Sequence, residues 1–475
     1  MNSREKPVSL ELLLARADDH QPLLPRGIAL EKFPALPFPT PRQLPDRLWD
    51  ASGDPDFLPK QRWGVVAPQG PEGDRLLDLI DPLIRWREAM QGAPVHPYRA
   101  PVGMDDVKAA RWMRTEFRKE AVDESDRPRY LLLLGDLDGL SLELQQVLST
   151  NAFVGRLVFP SADGYEAYCS KVLKWESSPY QGQVRPRALL YTSKDGTSAT
   201  DLAYDVLMGP SFETLQARQP KDFPEAELQE IIDEKGASTQ QWLSNVSQSE
   251  PRVMLTLSHG LGPGWKTREQ QRRLQGAFVL PDKSLLTGEE LVSRPFLPGG
   301  IWLFLACYGA GTPGRSSYAP WLQQLRDVDR DAARVLEEGM PGEGALPFVA
   351  ALPQAVLSNP SGPLAVIGHM DLAWVSTFSD QGRLAHSRFL GILRALLQGR
   401  RVGNALHTLL RIHSESLVEL TALLNQDELA RAMGRTSSVD LKVKARLWLL
   451  CQDLVNYVLL GDPAVRVPGN AINGE

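Results

Sequence analysis

Short apolar runs alternate with amphipathic stretches along most of the chain. The runs are aliphatic and β-branched, as strands buried on both faces of a parallel sheet are. They lie at residues 63–66, 130–134, 187–192, 253–257, 301–306 and 364–368. Residues 74–90 and 105–121 place apolar side chains on one helical face and charged ones on the other. This alternation predicts an α/β fold with mostly parallel sheets and helical crossovers.

Most of the remaining pattern is helical. Residues 225–246 are charged, and we predict a helix there with a break near Gly236. Three stretches with one apolar face close the chain, at 387–398, 405–424 and 439–459. They predict a helical C-terminal region.

The length of the chain and a cluster of prolines indicate how it divides into domains. Its 475 residues are enough for two or three domains or subdomains. The prolines between Pro34 and Pro45 show no sustained period and indicate an extended arm or a leader. We predict a proline-rich N-terminal arm at 1–60, a first α/β subdomain at 61–185, a second at 186–467, and a tail at 468–475.

Composition excludes some partners. The net charge of −6 gives no general attraction to nucleic acid or to an anionic membrane, so neither is expected as a partner. Three scattered cysteines are too few for a disulfide framework, which favours a reducing compartment. The chain has neither an uninterrupted signal-peptide core near its start nor an apolar run of membrane-spanning length. We therefore expect a cytoplasmic protein.

Two apolar runs end in reactive side chains. The run at 253–257 leads into Ser258, His259 and Gly260, and the run at 301–306 leads into Cys307. Carboxyl ends of neighbouring parallel strands meet at one sheet edge, so we expect the imidazole and the thiol to lie together there. A thiol needs a neighbouring base to become a nucleophile at neutral pH. We predict a Cys307–His259 dyad, with the N–H groups of Gly260 and Cys307 as oxyanion donors.

The motifs and their spacing resemble a known superfamily. His259 and Cys307 are 48 positions apart (307 minus 259), close to the separation of about 50 in caspases. Leu257-Ser258-His259-Gly260 is similar to the histidine-glycine motif of the caspase–gingipain superfamily, and Leu305-Ala306-Cys307-Tyr308-Gly309 to its alanine-cysteine motif. Leu305 and Tyr308 depart from the caspase pentapeptide. The nearer resemblance is to bacterial gingipain-like and CHAT-domain peptidases.

This resemblance implies a fold and an activity. The fold is two tandem caspase/gingipain-like αβα subdomains, of which only the second is catalytic. The activity is that of a cysteine endopeptidase acting on a specific protein target, as in bacterial defence systems of this family. Because such a peptidase must be kept inactive until it is needed, a regulatory protein or an activating signal is also expected. The resemblance implies no cofactor and no metal ligands, although some relatives need calcium.

The resemblance also places a pocket for the residue before the scissile bond. The end of the first strand of the catalytic half, at Lys194 or Asp195, contributes to this pocket in the superfamily. Asp195 would select a basic residue and Lys194 an acidic one. The gingipain resemblance favours Asp195 and cleavage after a basic residue. Asp371 and Trp374 are predicted to supply a second carboxylate and a wall.

Other interpretations stay open at this stage. A single cysteine or histidine beside a strand is more often structural than catalytic, so an inactive caspase-like scaffold is one alternative. The glycine-rich stretch at 260–267 suggests a nucleotide-binding protein, but Trp265 stands where a P-loop requires glycine. The long segment at 309–344 is predicted to be an exposed lid or docking insertion, with self-processing as the second hypothesis.

Overall fold

The structure is a computed structural model, and it describes residues 9–29, 53–119, 122–177, 185–248, 250–262, 264–380 and 383–468. Much of the predicted proline-rich arm and almost all of the predicted tail lie outside these ranges.

The described strands are short and mostly apolar, and they are numbered here in chain order. They are β1 Ser9–Leu10, β2 Leu14–Ala15, β3 Ile28–Ala29, β4 Trp63–Pro68, β5 Pro97–Ala100, β6 Tyr130–Leu134, β7 Phe153–Leu157, β8 Arg187–Lys194, β9 Glu227–Glu234, β10 Val253–Leu257, β11 Gly260–Leu261, β12 Phe278–Val279, β13 Leu285–Leu286, β14 Ile301–Leu305, β15 Gly311–Thr312, β16 Phe348–Val349, β17 Ala365–His369, β18 Ser379–Asp380, β19 Arg383–Leu384 and β20 Tyr457–Gly461.

The described α-helices connect and flank these strands. They are α1 Leu58–Gln61, α2 Pro71–Leu79, α3 Asp81–Gln91, α4 Asp106–Trp112, α5 Leu142–Leu148, α6 Ala162–Ser177, α7 Ser198–Ala203, α8 Gly209–Asp222, α9 Thr239–Val246, α10 Arg268–Leu274, α11 Gly288–Leu291, α12 Ala319–Val328, α13 Arg330–Glu338, α14 Ala351–Ser358, α15 Ser387–Leu397, α16 Val402–Ala432 and α17 Leu441–Val455. No helix among the described residues has the length and apolar character needed to cross a bilayer.

Ten strands form one continuous sheet in the order β5-β4-β6-β7-β20-β17-β14-β10-β8-β9. Every neighbouring pair is parallel except β17 and β20, which are antiparallel. The prediction of a mostly parallel α/β fold with a helical C-terminal region is confirmed. Strands β5, β4, β6, β7 and β20 run in one direction, and β17, β14, β10, β8 and β9 run in the other. Only the second group directs its carboxyl ends to the edge that carries His259 and Cys307.

The strand that joins the halves was not predicted. We expected a helix to continue to residue 459, but α17 ends at Val455 and β20 begins at Tyr457. Apolar periodicity cannot distinguish a buried helix from a buried strand over so short a run. Residues 457–461 form a strand because they lie between β7 and β17, where an extended backbone forms hydrogen bonds on both sides.

The helix predicted over 225–246 was also wrong. Its first part is β9, which pairs with β8 along its whole length, and only Thr239–Val246 is helical. β9 is an edge strand, and charged residues are tolerated there because one side of the strand faces water. Its inward-facing Asp233 is fully buried and accepts hydrogen bonds from Tyr191 and Thr239.

Buried polar contacts tie the halves together across the sheet. The Arg87 guanidinium, which is fully buried on α3, donates to Asp462 just after β20 and to Glu176 on α6. The indole N–H of Trp63 on β4 donates to the same Asp462 carboxylate at 2.9 Å. Buried charges that are fully paired fix the position of their elements, and here they fix the end of β20.

Candidate active site

His259 and Cys307 occupy equivalent positions on neighbouring strands. β10 and β14 are paired in parallel with Leu257 opposite Leu305, and each reactive residue follows two positions later. The Ser258 N–H continues the ladder by donating to the Leu305 carbonyl at 3.2 Å. Both side chains are buried, with 2% of His259 and none of Cys307 exposed. The two residues therefore lie at one edge of the sheet, as the sequence indicated.

Close backbone approach explains the glycine after the histidine. A Cβ on Gly260 would lie 1.8 Å from the Cys307 carbonyl oxygen, which no side chain can occupy. The turn after Cys307 is fixed by Tyr308, whose φ of 58° is rare for a residue with a side chain. The Tyr308 N–H donates to the Asp371 carbonyl and its hydroxyl to the Gly339 carbonyl. These bonds hold the thiol at the strand end.

His259 is oriented through Nε2. This nitrogen is 3.0 Å from the Thr197 hydroxyl and 3.5 Å from Asp195 Oδ2. Thr197 Oγ1 donates its own proton to Asp195 at 2.7 Å, so it can only accept from the ring. We therefore assign the proton to Nε2. Nδ1 is buried without a hydrogen-bond partner among the described residues, and it keeps the lone pair of a base.

The surroundings keep His259 neutral and Asp195 ionised. Burial lowers the pKa of His259, although the Asp195 carboxylate acts in the opposite direction. Burial alone would raise the pKa of Asp195, but His259 and hydrogen bonds from Thr197 and Thr200 hold it below its usual range. At neutral pH the pair is thus a neutral imidazole with a carboxylate behind it, the arrangement of an oriented general base.

The thiol is in a protonated state in this conformation. Cys307 Sγ accepts a hydrogen bond from the Ala373 N–H at 3.1 Å. Burial nevertheless raises the pKa of Cys307 well above its ordinary value. A covered thiol of this kind is a poor nucleophile until the site opens to its substrate.

Two backbone donors converge on one carbonyl oxygen. The Gly260 N–H donates to the carbonyl oxygen of Leu13 at 2.8 Å, and the Cys307 N–H donates to the same oxygen at 3.3 Å. These are the two groups that the sequence predicted as oxyanion donors. Two convergent N–H groups beside a thiol can stabilise the oxygen of a carbonyl under attack.

The residues predicted for substrate binding have other partners. The Asp195 carboxylate lies against His259, as described above. Lys194 forms ion pairs with Asp201 at 3.0 Å and Glu234 at 3.7 Å, and its ammonium lies over the Tyr204 ring.

Asp371 and Trp374 lie on the segment after β17, and both are buried. The Asp371 carboxylate accepts from the Ser316 hydroxyl, the Ser317 N–H and the Leu372 N–H. The Trp374 backbone forms an antiparallel bridge with Leu12. Asp371 thus has internal hydrogen-bond partners, and the Trp374 backbone is paired with the N-terminal segment.

Sequence reasoning missed three parts of the site. Thr197 follows β8, but only the pairing of β8 with β10 places it beside His259. Ala373, whose N–H contacts the thiol, carries no side-chain signal. Leu13 is 294 positions from Cys307 and nothing in its local sequence points to the site.

The glycine-rich stretch after His259 begins with a short strand. Gly260 and Leu261 form β11, which pairs in parallel with Leu14 and Ala15. The Gly262 N–H donates to the Ala15 carbonyl. The N–H groups of Gly260 and Gly262, at the start of this stretch, thus already have peptide carbonyls as partners. Among the described residues, no group of three or more histidine, cysteine or acidic side chains could hold a metal ion.

No protein-family model matches the chain, and no curated protein sequence matches it. A solved structure described as a protease is 13% identical with a TM-score of 0.49, covering 85% of this chain and 78% of its own. The Arg-specific cysteine proteinase gingipain R is 13% identical with a TM-score of 0.47, covering 86% and 78%. The pro- and mature-domain complex of a Porphyromonas gingivalis gingipain is 12% identical, with a TM-score of 0.44 and coverage of 86% and 79%. These similarities assign no role to any residue of this chain.

Proposed function

We propose that the protein is a cysteine endopeptidase in which Cys307 is the nucleophile and His259 the general base. The observation that carries this proposal is the convergence of the Gly260 and Cys307 N–H groups on one peptide carbonyl oxygen, beside the thiol and the imidazole. An inactive scaffold has no need of such donors. A hydrolase that passes through a tetrahedral oxyanion does.

The reaction follows from the groups present. His259 Nδ1 accepts the thiol proton as Cys307 Sγ attacks the carbonyl carbon of the substrate, and the two N–H groups stabilise the oxyanion. The imidazolium then gives its proton to the leaving amine as the C–N bond breaks, which leaves an acyl group on sulfur. Water, deprotonated by the same nitrogen, hydrolyses the thioester and restores the thiol.

Asp195 acts through His259 in this scheme. Its carboxylate, together with Thr197, holds Nε2–H and thereby leaves Nδ1 free to accept the thiol proton. It also favours the imidazolium that forms during the reaction. Asp195 is therefore a positioning residue.

The more specific expectations drawn from the sequence are also part of this proposal. The protein would be a CHAT-type bacterial peptidase of the cytoplasm that cleaves one protein target in a defence system. A regulatory protein or an activating signal would control it. Cleavage after a basic residue, predicted through Asp195, stays an alternative to cleavage after leucine, which the segment covering the thiol favours. No cofactor enters the steps above.

A peptide library varied at one position tests the assignment. We expect wild-type protein to release new N-termini, detected by mass spectrometry, and Cys307→Ala to release none. Cys169→Ala is the matched control, because Cys169 is also a buried free cysteine but lies on α6. Equal cleavage by wild type and Cys307→Ala would assign the activity to a contaminant. An unreactive wild type whose Cys307 is accessible would favour the scaffold alternative.

A further inference from the structure

Residues 11–15, here called the strap, cross the candidate active site in extended form. Before Leu13 the strap runs antiparallel to the segment after β17. The Leu13 N–H donates to the Ala373 carbonyl at 3.5 Å, and the Glu11 carbonyl accepts from the Val375 N–H at 3.2 Å. After Leu13 the strap pairs in parallel with β11 on the other wall. The backbone thus passes from one wall of a groove to the other at Leu13.

This crossing point is where catalysis requires a substrate carbonyl. The Leu13 carbonyl is the group that both oxyanion donors contact. A substrate peptide that pairs with a groove through its backbone is held in register, and its side chains then fill alternate pockets. By this register Leu13 occupies the position of the residue before the scissile bond, and Leu14 that of the residue after it.

The side chains of the strap are accommodated as well as its backbone. Leu12, Leu13 and Leu14 are fully buried. Glu11 is 5% exposed, and its carboxylate accepts a hydrogen bond from the Ser198 hydroxyl at 2.8 Å. The groove therefore fits an apolar residue before the scissile bond and an acidic one two positions earlier.

We propose that the strap is an internal substrate mimic. It blocks the groove over Cys307, and it marks the substrate as an extended peptide with leucine before the scissile bond. This inference rests on the proposed function, because a substrate register has meaning only for a peptidase. Burial under the strap keeps the thiol protonated, so at any moment only the small fraction of molecules whose strap is displaced can cleave a substrate, and wild-type activity is low. Activation requires displacement of the strap.

Contacts outside the groove hold the strap's flanks. β1 pairs with β3, which places residues 9–10 against 28–29. Beyond the strap, Arg16 lies 3.7 Å from Glu338 at the end of α13, and Gln21 accepts a hydrogen bond from Lys283. A regulator that competes for these partners could release the strap without disturbing the main sheet.

Thiol labelling tests strap occupancy without relying on activity. The chain has three buried free cysteines, so alkylation by iodoacetamide, located by mass spectrometry, reports local opening and global unfolding separately. In Leu13→Ala we expect alkylation of Cys307 to rise at least about tenfold, because a buried leucine is lost. Alkylation of Cys169 and Cys451 should not change.

The matched control is Leu144→Ala, which removes an equally buried leucine from α5, in a separate core cluster. If alkylation of Cys307 rises no more in Leu13→Ala than in Leu144→Ala, the strap does not cover the thiol. If all three cysteines react faster in Leu13→Ala, the variant is unfolding. In that case the substitution is replaced by cleavage of the chain at a protease site inserted between residues 41 and 42. We again expect alkylation to increase at Cys307 alone.

A short peptide panel tests the substrate assignment. The peptides carry Leu-Glu-Leu-X before a fluorogenic amide, with X as leucine, arginine or aspartate. We expect leucine to be cleaved at least tenfold faster than the others, and Leu13→Ala to act at least tenfold faster than wild type. A preference for arginine, or equal rates in wild type and Leu13→Ala, would overturn the inference while the peptidase stands. No cleavage of any peptide by unmodified Leu13→Ala, when a parallel aliquot shows that its Cys307 is accessible to alkylation, would instead overturn the proposed function.

Discussion

Gly260→Ala perturbs the oxyanion donors while leaving the thiol and imidazole chemically unchanged. The added Cβ would lie 1.8 Å from the Cys307 carbonyl oxygen and 2.8 Å from the Cys307 nitrogen. Real Cβ contacts are essentially never under 3.0 Å, so the backbones must separate by about 1.2 Å (3.0 minus 1.8). The oxygen and the nitrogen that must move both belong to the backbone of Cys307, which carries the thiol.

The expected effect on rate is large. A displacement of about 1 Å in a catalytic group can cost about 10²-fold, and loss of one oxyanion donor costs roughly 10²–10³ in kcat. We therefore expect kcat/KM on the best peptide to fall by about 10²–10³. Overpacking of this kind also costs about 1–3 kcal/mol of stability, so the variant should remain folded with a lowered Tm.

The assay compares kcat/KM and urea unfolding for wild type, Gly260→Ala and Gly342→Ala. Gly342 is the matched control, because a Cβ there meets nothing within 4 Å. We expect Gly342→Ala to match wild type in both measurements. If folded Gly260→Ala keeps activity within about threefold of wild type, the two N–H groups do not form the oxyanion site.

Two further predictions concern Asp195 beside the imidazole and His407 on α16. Asp195→Asn should lower kcat by at least about 10²-fold with little change in KM, because the imidazole loses its orientation. Asp138→Asn, at an exposed position, should change neither constant. Steady-state kinetics on one peptide check this, and a rise in KM with unchanged kcat would count against the positioning role. Burial, reinforced by Arg411, lowers the pKa of His407 to about 4, so the folded state binds fewer protons than the unfolded state between pH of about 6.5 and 4. The free energy of unfolding should therefore fall by up to about 3 kcal/mol as pH drops through that window. In urea titrations at pH 7.5 and 4.5, His407→Gln should show a smaller fall than wild type. An identical pH dependence in both proteins would contradict this.

The placement of His259 and Cys307 at one edge could be predicted from sequence. Each follows a short aliphatic run, and parallel strands bring their carboxyl ends together whatever their separation along the chain. The reason for glycine at position 260 could not be predicted, because it is a close approach to the Cys307 carbonyl that depends on the pairing of β10 with β14.

The groups around the dyad could not be placed from sequence because they depend on pairing between distant segments. Asp195 lies against His259 since β8 and β10 are neighbours, a fact that no local pattern reveals. Leu13 reaches the site through backbone hydrogen bonds, which leave no mark on residue type. β9 and β20 were read as helix because their runs continue the pattern of the adjoining helices, and pairing decided otherwise.

Trapping of the acyl intermediate tests the central claim most directly. Leu13→Ala protein is mixed with the ester of Leu-Glu-Leu-Leu and quenched in acid, and the adduct is located by mass spectrometry. We predict a tetrapeptidyl thioester on Cys307 that disappears in Cys307→Ala and accumulates more slowly in His259→Ala. An adduct on Cys169 or Cys451, or peptide turnover with no adduct dependent on Cys307, would contradict the assignment of this thiol as the nucleophile.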